Sequence, residues 1–197
     1  MHALLRTTWL TLVLGLTSTL ALAASKPAVV YSAADKFDKS VNQEVYEGGV
    51  VRYLKETGVQ VTERSPASEA ERLSTLRELA SAGYSPIVVV GSEQLNALQG
   101  VVDQFPKTQF TLLDAQLDKP NVQSILFKTE EGSFLVGAMA AAESETSIIG
   151  FVGGMDLPTI HQYACGYDQG AKYANPAAEV KQSYASSTPA RASADLV

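Results

Sequence analysis

Residues 127–155 read FKTEEGSFLVGAMAAAESETSIIGFVGGM, and they join a helix of small residues to a short apolar strand. Glu130, Glu131 and Ser133 open the predicted helix, where acidic and capping side chains suit the positive end of the helix dipole. The glycine and alanines that follow add little side-chain bulk, so we expect this helix to lie very close to a sheet. The run from Ile148 to Val152 predicts a buried strand.

Two glycines, Gly153 and Gly154, stand at the carboxyl end of that predicted strand. A backbone without Cβ atoms lets a neighbouring segment or a ligand approach closely. In open α/β sheets, ligands bind in the crevice beyond the carboxyl ends of the strands. The stretch therefore predicts one wall of a binding cleft, with a Gly-rich turn leading into the next helix.

Strand-like and helix-like segments alternate through the rest of the chain. The other predicted strands are 27–32, 59–64, 87–90, 109–114, 122–128 and 179–185. The other predicted helices are 39–57, 68–82, 93–104 and 158–174, with Ser92 expected to cap the third of these. This alternation is typical of an α/β fold, in which an open parallel sheet is flanked by helices on both faces.

The strand ends supply most of the candidate ligand-binding residues. Those expected to line the cleft are Ser32, Gly91, Ser92, Asp114, Gly153 and Gly154. Asp114 ends an apolar strand, where its carboxylate can accept two hydroxyl donors from a ribose; the alternative is a helix or turn cap. Asn42 is the seventh candidate, because its amide can pair with a purine edge. Its alternative is a solvated amide in a helix that Ser40 caps.

Three motifs in order resemble the basic membrane protein family, the periplasmic nucleoside-binding components of ABC importers. They are KFDKSVNQEVYEG at 36–48, EGSFLVGAMAA with IGFVGGMDLP at 131–158, and GYDQGAKYANP at 166–176. The resemblance implies a periplasmic-binding-protein-like fold of type I. It places a first α/β lobe at 24–147, a partial second lobe at 148–185 and a loosely ordered tail at 186–197. It also implies that two lobes close around a base and a sugar and then dock on a membrane permease.

The resemblance identifies three departures from the family pattern. Family members carry an Asp where Ser32 stands, a Gly-Gly pair where Ala34-Asp35 stands and an aromatic residue where Val41 stands. The Asp holds the ribose and the ring stacks on the base, so we expect weaker nucleoside binding here. The lost charge-assisted pair is worth on the order of 1.5–3 kcal/mol, and the lost stacking roughly 1–3 kcal/mol. Asn42, Asp114 and the Gly153-Gly154 pair match the family pattern.

The first 23 residues have the features of a secretory signal peptide. Arg6 precedes an apolar run from Trp9 to Leu22, and Ala21-Leu22-Ala23 is an A-x-A cleavage site. A buried N-terminal helix is the alternative. Ser25 stands where a lipoprotein signal has Cys, so we expect a soluble periplasmic or secreted protein without a lipid anchor. The net charge of −6, without a basic patch, argues against nucleic acid as a partner.

The sequence predicts neither an enzyme nor a cofactor. His161 and Cys165 share a helix face, but two side chains do not make a zinc site. We expect Cys165, the single cysteine, to be a small buried apolar residue. The sequence has no P-loop, dinucleotide-binding or nucleophile-elbow motif.

The function predicted is that of an exported solute-binding protein of an ABC importer. Its partners would be a nucleoside-like solute and the membrane permease, and the incomplete second lobe would weaken binding. The alternatives are a one-lobe interaction or sensory module, or a non-functional fragment of a frameshifted gene.

Overall fold

The computed structural model describes residues 26–32 and 36–186. The predicted signal peptide at 1–23 and the predicted tail beyond residue 186 lie outside the described residues. The strands are β1 (Ala28–Val30), β2 (Thr62–Arg64), β3 (Ile87–Val90), β4 (Phe110–Leu113), β5 (Val122–Ile125), β6 (Ile148–Met155) and β7 (Glu179–Ser186). The helices are α1 (Val41–Glu44), α2 (Arg52–Thr57), α3 (Glu69–Ser81), α4 (Leu95–Val102), α5 (Thr129–Glu143) and α6 (Pro158–Ala174).

The first five strands form one parallel sheet in the order β2-β1-β3-β4-β5. Successive side chains of a strand point to opposite faces, so β1 contributes Val30 to one apolar cluster and Val29 to another. Helices α3 and α4 cover the Val30 face. The helix from residue 41 to residue 57 covers the Val29 face. The predicted α/β fold, a parallel sheet with helices on both faces, is confirmed.

The helix that covers the Val29 face differs in detail from its prediction. It begins at Val41 rather than Lys39, and its middle section, Val45–Val51, is π-helical and links α1 to α2. That section contains Gly48 and Gly49, which add no side-chain bulk. Its end is as predicted, because Gly58 follows α2 in the left-handed conformation with φ of 73°.

Helix α5 makes its closest contacts with α6 rather than with a sheet, which corrects the sequence prediction. A Cβ atom added to Gly170 of α6 would lie 1.8 Å from the backbone oxygen of Phe134. One added to Gly137 of α5 would lie 2.0 Å from the backbone oxygen of Tyr167. The two helices therefore touch backbone to backbone. The small residues of 127–155 do mark a close approach, but its target is a helix.

A second pair of contacts fixes the same crossing. Ser133 donates a hydrogen bond from Oγ to the backbone oxygen of Tyr163 over 2.6 Å, so it links the two helices and does not cap α5. A Cβ atom added to Gly166 would lie 2.3 Å from the backbone oxygen of Glu130. Helix α5 thus follows α6 closely from its first turn onward.

Strands β6 and β7 form a separate parallel pair beneath these helices. Ala141 of α5 and Ala171 of α6 pack with Ile149 and Val180 of the two strands. We refer to β1–β5 with α1–α4 as the first unit, and to α5, β6, α6 and β7 as the second unit. The lobe boundary between residues 147 and 148 stays a prediction, and the packing of α5 favours a boundary before Thr129.

Strand β6 is longer than its sequence indicated. It continues through Gly153 and Gly154 to Met155, so both glycines lie inside the strand rather than in a turn after it. Pairing with β7 as far as Ser186 supplies the hydrogen bonds that extend it. Within residues 26–32 and 36–186, no helix is both long and apolar enough to cross a membrane.

Replacement of Gly170 by Ala should destabilise the protein. Alanine is the better helix former by about 0.8–1.0 kcal/mol, but its Cβ would meet the backbone oxygen of Phe134 at 1.8 Å. Overpacking of this kind costs typically about 1–3 kcal/mol. We expect urea unfolding to show a lower free energy of unfolding for Gly170→Ala than for the unmodified protein. Gly132→Ala is the matched control, because nothing lies within 4 Å of the added Cβ, and it should be neutral or stabilising. Equal stabilities of the two variants would contradict the close crossing.

Candidate functional site

A cavity of about 470 Å³ opens between the first unit and the second unit. The first unit contributes the carboxyl ends of β1, β3 and β4 and the start of α1. The second unit contributes the end of β6 and the first turns of α6. The lining residues are Ser32, Asp38, Ser40, Val41, Val90–Glu93, Asp114, Phe151–Met155, Leu157, Thr159, Ile160 and Tyr163. Ligand-binding cavities in proteins measure about 300–1,000 Å³, so this space suits a small solute.

The structure brings six of the seven candidate residues together in this lining: Ser32, Gly91, Ser92, Asp114, Gly153 and Gly154. Asn42 is the exception, because it is fully buried behind the cavity. Its Nδ2 donates to Oγ of Ser32 over 2.9 Å, and its Oδ1 accepts from the Ser32 N–H over 3.2 Å. Asn42 therefore holds Ser32 in place. It is neither solvated nor part of the cavity surface.

Asp38, and not Ser40, supplies the capping group for the start of α1. Its carboxylate accepts hydrogen bonds from the backbone N–H groups of Ser40, Asn42 and Gln43 over 2.8, 3.3 and 3.1 Å. The Ser40 side chain makes no capping bond. Asp38 lines the cavity, but its oxygens already serve these backbone donors.

Asp114 differs from Asp38 because its carboxylate has no hydrogen bond or ion pair within residues 26–32 and 36–186. Its backbone N–H donates to the oxygen of Ile125 over 2.8 Å. Its φ of 67° is unusual for a residue other than glycine. Burial raises the pKa of the Asp114 carboxyl above its ordinary value of 3.8. The Asp114 side chain caps neither a turn nor a helix. Residues with strained backbone of this kind cluster at binding sites.

The turn after β3 forms another wall of the cavity. Ser92 does not cap α4 as predicted, because it begins a short 3₁₀ turn, Ser92–Gln94, and makes no capping bond. Gly91 has φ of 99°, and a Cβ there would lie 2.5 Å from Oε2 of Glu93. Gln94 donates from Nε2 to the backbone oxygens of Val30, Tyr31 and Val90 over 3.1, 2.8 and 3.0 Å. That side chain joins the ends of β1 and β3, a role that the sequence did not indicate.

The paired glycines of β6 have different surroundings. A Cβ on Gly153 would lie 2.7 Å from Cγ2 of Ile160 and equally close to Cδ1 of Tyr184, so close packing requires this glycine. A Cβ on Gly154 would meet no atom within 4 Å. Gly154 therefore leaves open space beside the cavity.

Tyr163 of α6 lines the same cavity, and the sequence reasoning did not select it. Burial and the charge of Asp114 raise the pKa of the Tyr163 hydroxyl, in that order of importance. Thr159, one helical turn earlier, donates to the backbone oxygen of Asp114 over 3.5 Å and so joins the two units. The spacing of Thr159, Ile160 and Tyr163 indicates that these residues share one face of α6. The position of β6 shows that this face meets the cavity, which the sequence alone did not indicate.

The charged residues that line the cavity are all acidic: Asp38, Glu93 and Asp114. Among the described residues of this lining there is no Lys, Arg or His. Hydrogen-bond donors are therefore better suited to this space than anionic groups.

His161 and Cys165 lie outside the lining. Nε2 of His161 is 2.6 Å from Oδ1 of Asp156, and its ring stacks on Tyr184. Cys165 is exposed, contrary to the prediction of a buried residue, and Nε2 of Gln169 lies 3.0 Å from its Sγ. Among the described residues, no three side chains of the kinds that bind metals lie close enough together to hold an ion.

A parallel sheet, a second α/β unit and a cavity between them define the class of type I periplasmic binding proteins. A solute-binding protein of an ABC transporter from Aeropyrum pernix has this fold, with a TM-score of 0.71 and 30% identity over 81% of the present chain. The match spans 46% of that protein. The predicted fold class is thereby confirmed.

The family model for PnrA-like substrate-binding proteins of ABC transporters matches residues 26–195, and the chain belongs to this family. An uncharacterised lipoprotein of Pyrococcus furiosus is 36% identical over 75% of this chain. A protein of Lactococcus lactis described as an ABC transporter nucleoside-binding protein, BmpA, is 30% identical over 82%. The chain spans 38% and 47% of the lengths of these two relatives. The family predicted from the three motifs is therefore confirmed.

Asp114→Asn should stabilise the protein at neutral pH. A carboxyl whose folded pKa exceeds its unfolded value of about 3.8 binds its proton more tightly in the folded state. Its ionisation therefore lowers the free energy of unfolding as the pH rises from the unfolded pKa to the folded pKa. We expect Asp114→Asn to raise the free energy of unfolding, measured with urea, at pH 7 and to leave it unchanged below about pH 3.8. Asp118→Asn, at an exposed position, should give no such gain at pH 7. A less stable Asp114→Asn variant at pH 7 would mean that the carboxylate has a stabilising partner.

Proposed function

We propose that this chain is the exported solute-binding component of an ABC importer and binds a nucleoside-like solute between its two units. One observation carries the proposal. The Asp114 carboxylate is half-buried, faces a cavity of about 470 Å³ and has no hydrogen bond among the described residues. A partly buried carboxylate is less well hydrated than an exposed one, and a ligand with hydrogen-bond donors would offset that cost.

The lining suits a molecule with one polar and one apolar part. Asp114 can accept hydrogen bonds from two hydroxyl groups, as the paired hydroxyls of a ribose would provide. Val41, Val152 and Ile160 give the same cavity an apolar surface, which suits the faces of a base. The Lactococcus lactis relative, described as nucleoside-binding, supports this class of solute.

The acidic lining favours neutral solutes over anionic ones. A phosphate group on the solute would meet the charges of Asp114, Glu93 and Asp38 without a basic residue of the lining to offset them. Like charges a few ångströms apart in a partly buried site repel each other appreciably. A neutral nucleoside should therefore bind better than its monophosphate.

Binding by this chain should be weak. The resemblance placed an Asp at position 32 and an aromatic ring at position 41, where this sequence has Ser32 and Val41. The Ser32 hydroxyl already bonds to Asn42. The chain spans 47% of the length of the nucleoside-binding relative.

Transport would use closure of the two units around the solute, followed by docking on the membrane permease. Closure of this kind is a hinge motion that contacts made only in the closed state would favour. Segment 126–128 connects β5 to α5 and is a suitable hinge. We propose release of the mature protein without a lipid anchor, since Ser25 stands at the position where a lipoprotein signal needs Cys.

Ligand-observed NMR with adenosine, guanosine, inosine and uridine, and with AMP as the anionic comparison, tests the proposal. We expect weak binding of at least one nucleoside and weaker binding of AMP. Asp114→Asn should lower nucleoside affinity by about tenfold or more, since hydrogen bonds to a charged group contribute about 1.5–3 kcal/mol. Asp118→Asn, an exposed control, should leave affinity unchanged.

Three results would contradict the proposal. They are no nucleoside binding at millimolar concentration, binding that Asp114→Asn leaves intact, and AMP binding equal to that of adenosine. A submicromolar dissociation constant would contradict the expectation of weak affinity, although it would support the site itself.

A further inference from the structure

We propose that Tyr163 is a specificity-determining ligand contact, whose ring takes the stacking role that the family resemblance assigns to the position of Val41. The proposal rests on the proposed function and concerns the same cavity. Tyr163 extends from the second turn of α6 into the lining, and 37% of the residue is exposed in the absence of a solute. A planar base would cover this surface.

The ring of Tyr163 is available for a ligand. Of the two aromatic residues in the described lining, Phe151 already packs on Tyr167, with the ring centroids 5.8 Å apart. Tyr163 has no comparable ring contact, and its hydroxyl forms no hydrogen bond within residues 26–32 and 36–186. A base that stacks on Tyr163 would therefore displace no existing contact.

The position of Tyr163 is set by the crossing of α5 and α6. Its backbone oxygen accepts the hydrogen bond from Oγ of Ser133 over 2.6 Å. Three residues later, Gly166 lets α6 approach the backbone of Glu130 so closely that no Cβ fits between them. Little freedom is left to the backbone of this turn of α6, so the position from which the Tyr163 side chain extends is set before a solute arrives, which lowers the entropic cost of binding.

Tyr163 and Asp114 together define the ligand chemistry more narrowly than either residue alone. Asp114 and Tyr163 come from different units but line the same cavity, and Thr159, one helical turn before Tyr163, donates to the backbone oxygen of Asp114 over 3.5 Å. Hydroxyl donors on a solute would bind Asp114, and a planar ring attached to them would lie on Tyr163. The matching solute carries a flat heterocycle next to a polyol, so a free sugar would gain nothing from Tyr163.

Two variants at Tyr163 separate the ring from the hydroxyl. Tyr163→Leu removes the ring and keeps an apolar side chain, and it should lower inosine affinity by about tenfold or more. Tyr163→Phe keeps the ring and should stay within about threefold of the unmodified protein. Tyr173→Leu is the control, because Tyr173 lies on the same helix outside the lining and is 79% exposed. It should leave inosine affinity unchanged.

A second measurement observes ligand contact in the unmodified protein and uses the Tyr163→Phe variant only to assign the resonances. In the unmodified protein with isotope-labelled tyrosine, inosine should shift the Tyr163 ring resonances, identified by their loss in Tyr163→Phe. Free ribose at equal concentration should leave them in place, as should any binding remote from the cavity.

The outcomes distinguish the two proposals. Inosine binding that Tyr163→Leu leaves unchanged, or that does not move the Tyr163 resonances, overturns the role of Tyr163 and leaves the proposed function standing. Failure of the unmodified protein to bind any nucleoside overturns the proposed function and this inference with it. Loss of inosine affinity in both Tyr163→Leu and Tyr173→Leu would show general damage to α6 and would also overturn a specific role for Tyr163.

Discussion

The backbone contact between α5 and α6 is the interaction on which the second unit depends. Two strands alone bury too little apolar surface for independent stability, and β6 and β7 are such a pair. Helix α5 supplies the missing cover, because the glycines of the crossing let it reach α6 and place Ala141 over Ile149. The same contact fixes the backbone of α6 at Tyr163 through the hydrogen bond from Ser133. Packing of the second unit and the shape of the cavity therefore have one cause.

One wall of the cavity is stabilised by hydrogen bonds, whereas Asp114 in the same lining lowers the stability of the protein. Gln94 and Asn42 satisfy backbone and side-chain groups around the ends of β1 and β3, so that wall is held by ordinary hydrogen bonds. Asp114 instead has left-handed backbone and a partly buried charge, and both features lower stability. Proteins retain such features mainly where function requires them. This contrast, more than the cavity volume, supports our proposal that the cavity binds a solute.

Much of the fold followed from the order and spacing of residues. Alternating strands and helices predicted the parallel sheet, and the carboxyl ends of its strands predicted four residues of the cavity, because parallel strands end at one edge. The end of β6 predicted the other two, Gly153 and Gly154. The target of α5 did not follow, since small residues indicate a close approach without saying to what. The burial of Asn42 and the cap at Asp38 depended on loop geometry. Tyr163 could not be chosen until the extended β6 showed which face of α6 meets the cavity.

The most direct test of a solute site between the two units is to locate a bound nucleoside by intermolecular NOEs in protein with labelled methyl groups. Inosine protons should show NOEs to methyl groups of Val41 in the first unit and Ile160 in the second, both of which line the cavity. They should show none to Val50 and Val88, which line a separate apolar cavity under the helix from residue 41 to residue 57. NOEs to Val50 and Val88 without any to Val41 and Ile160 would contradict a site between the units.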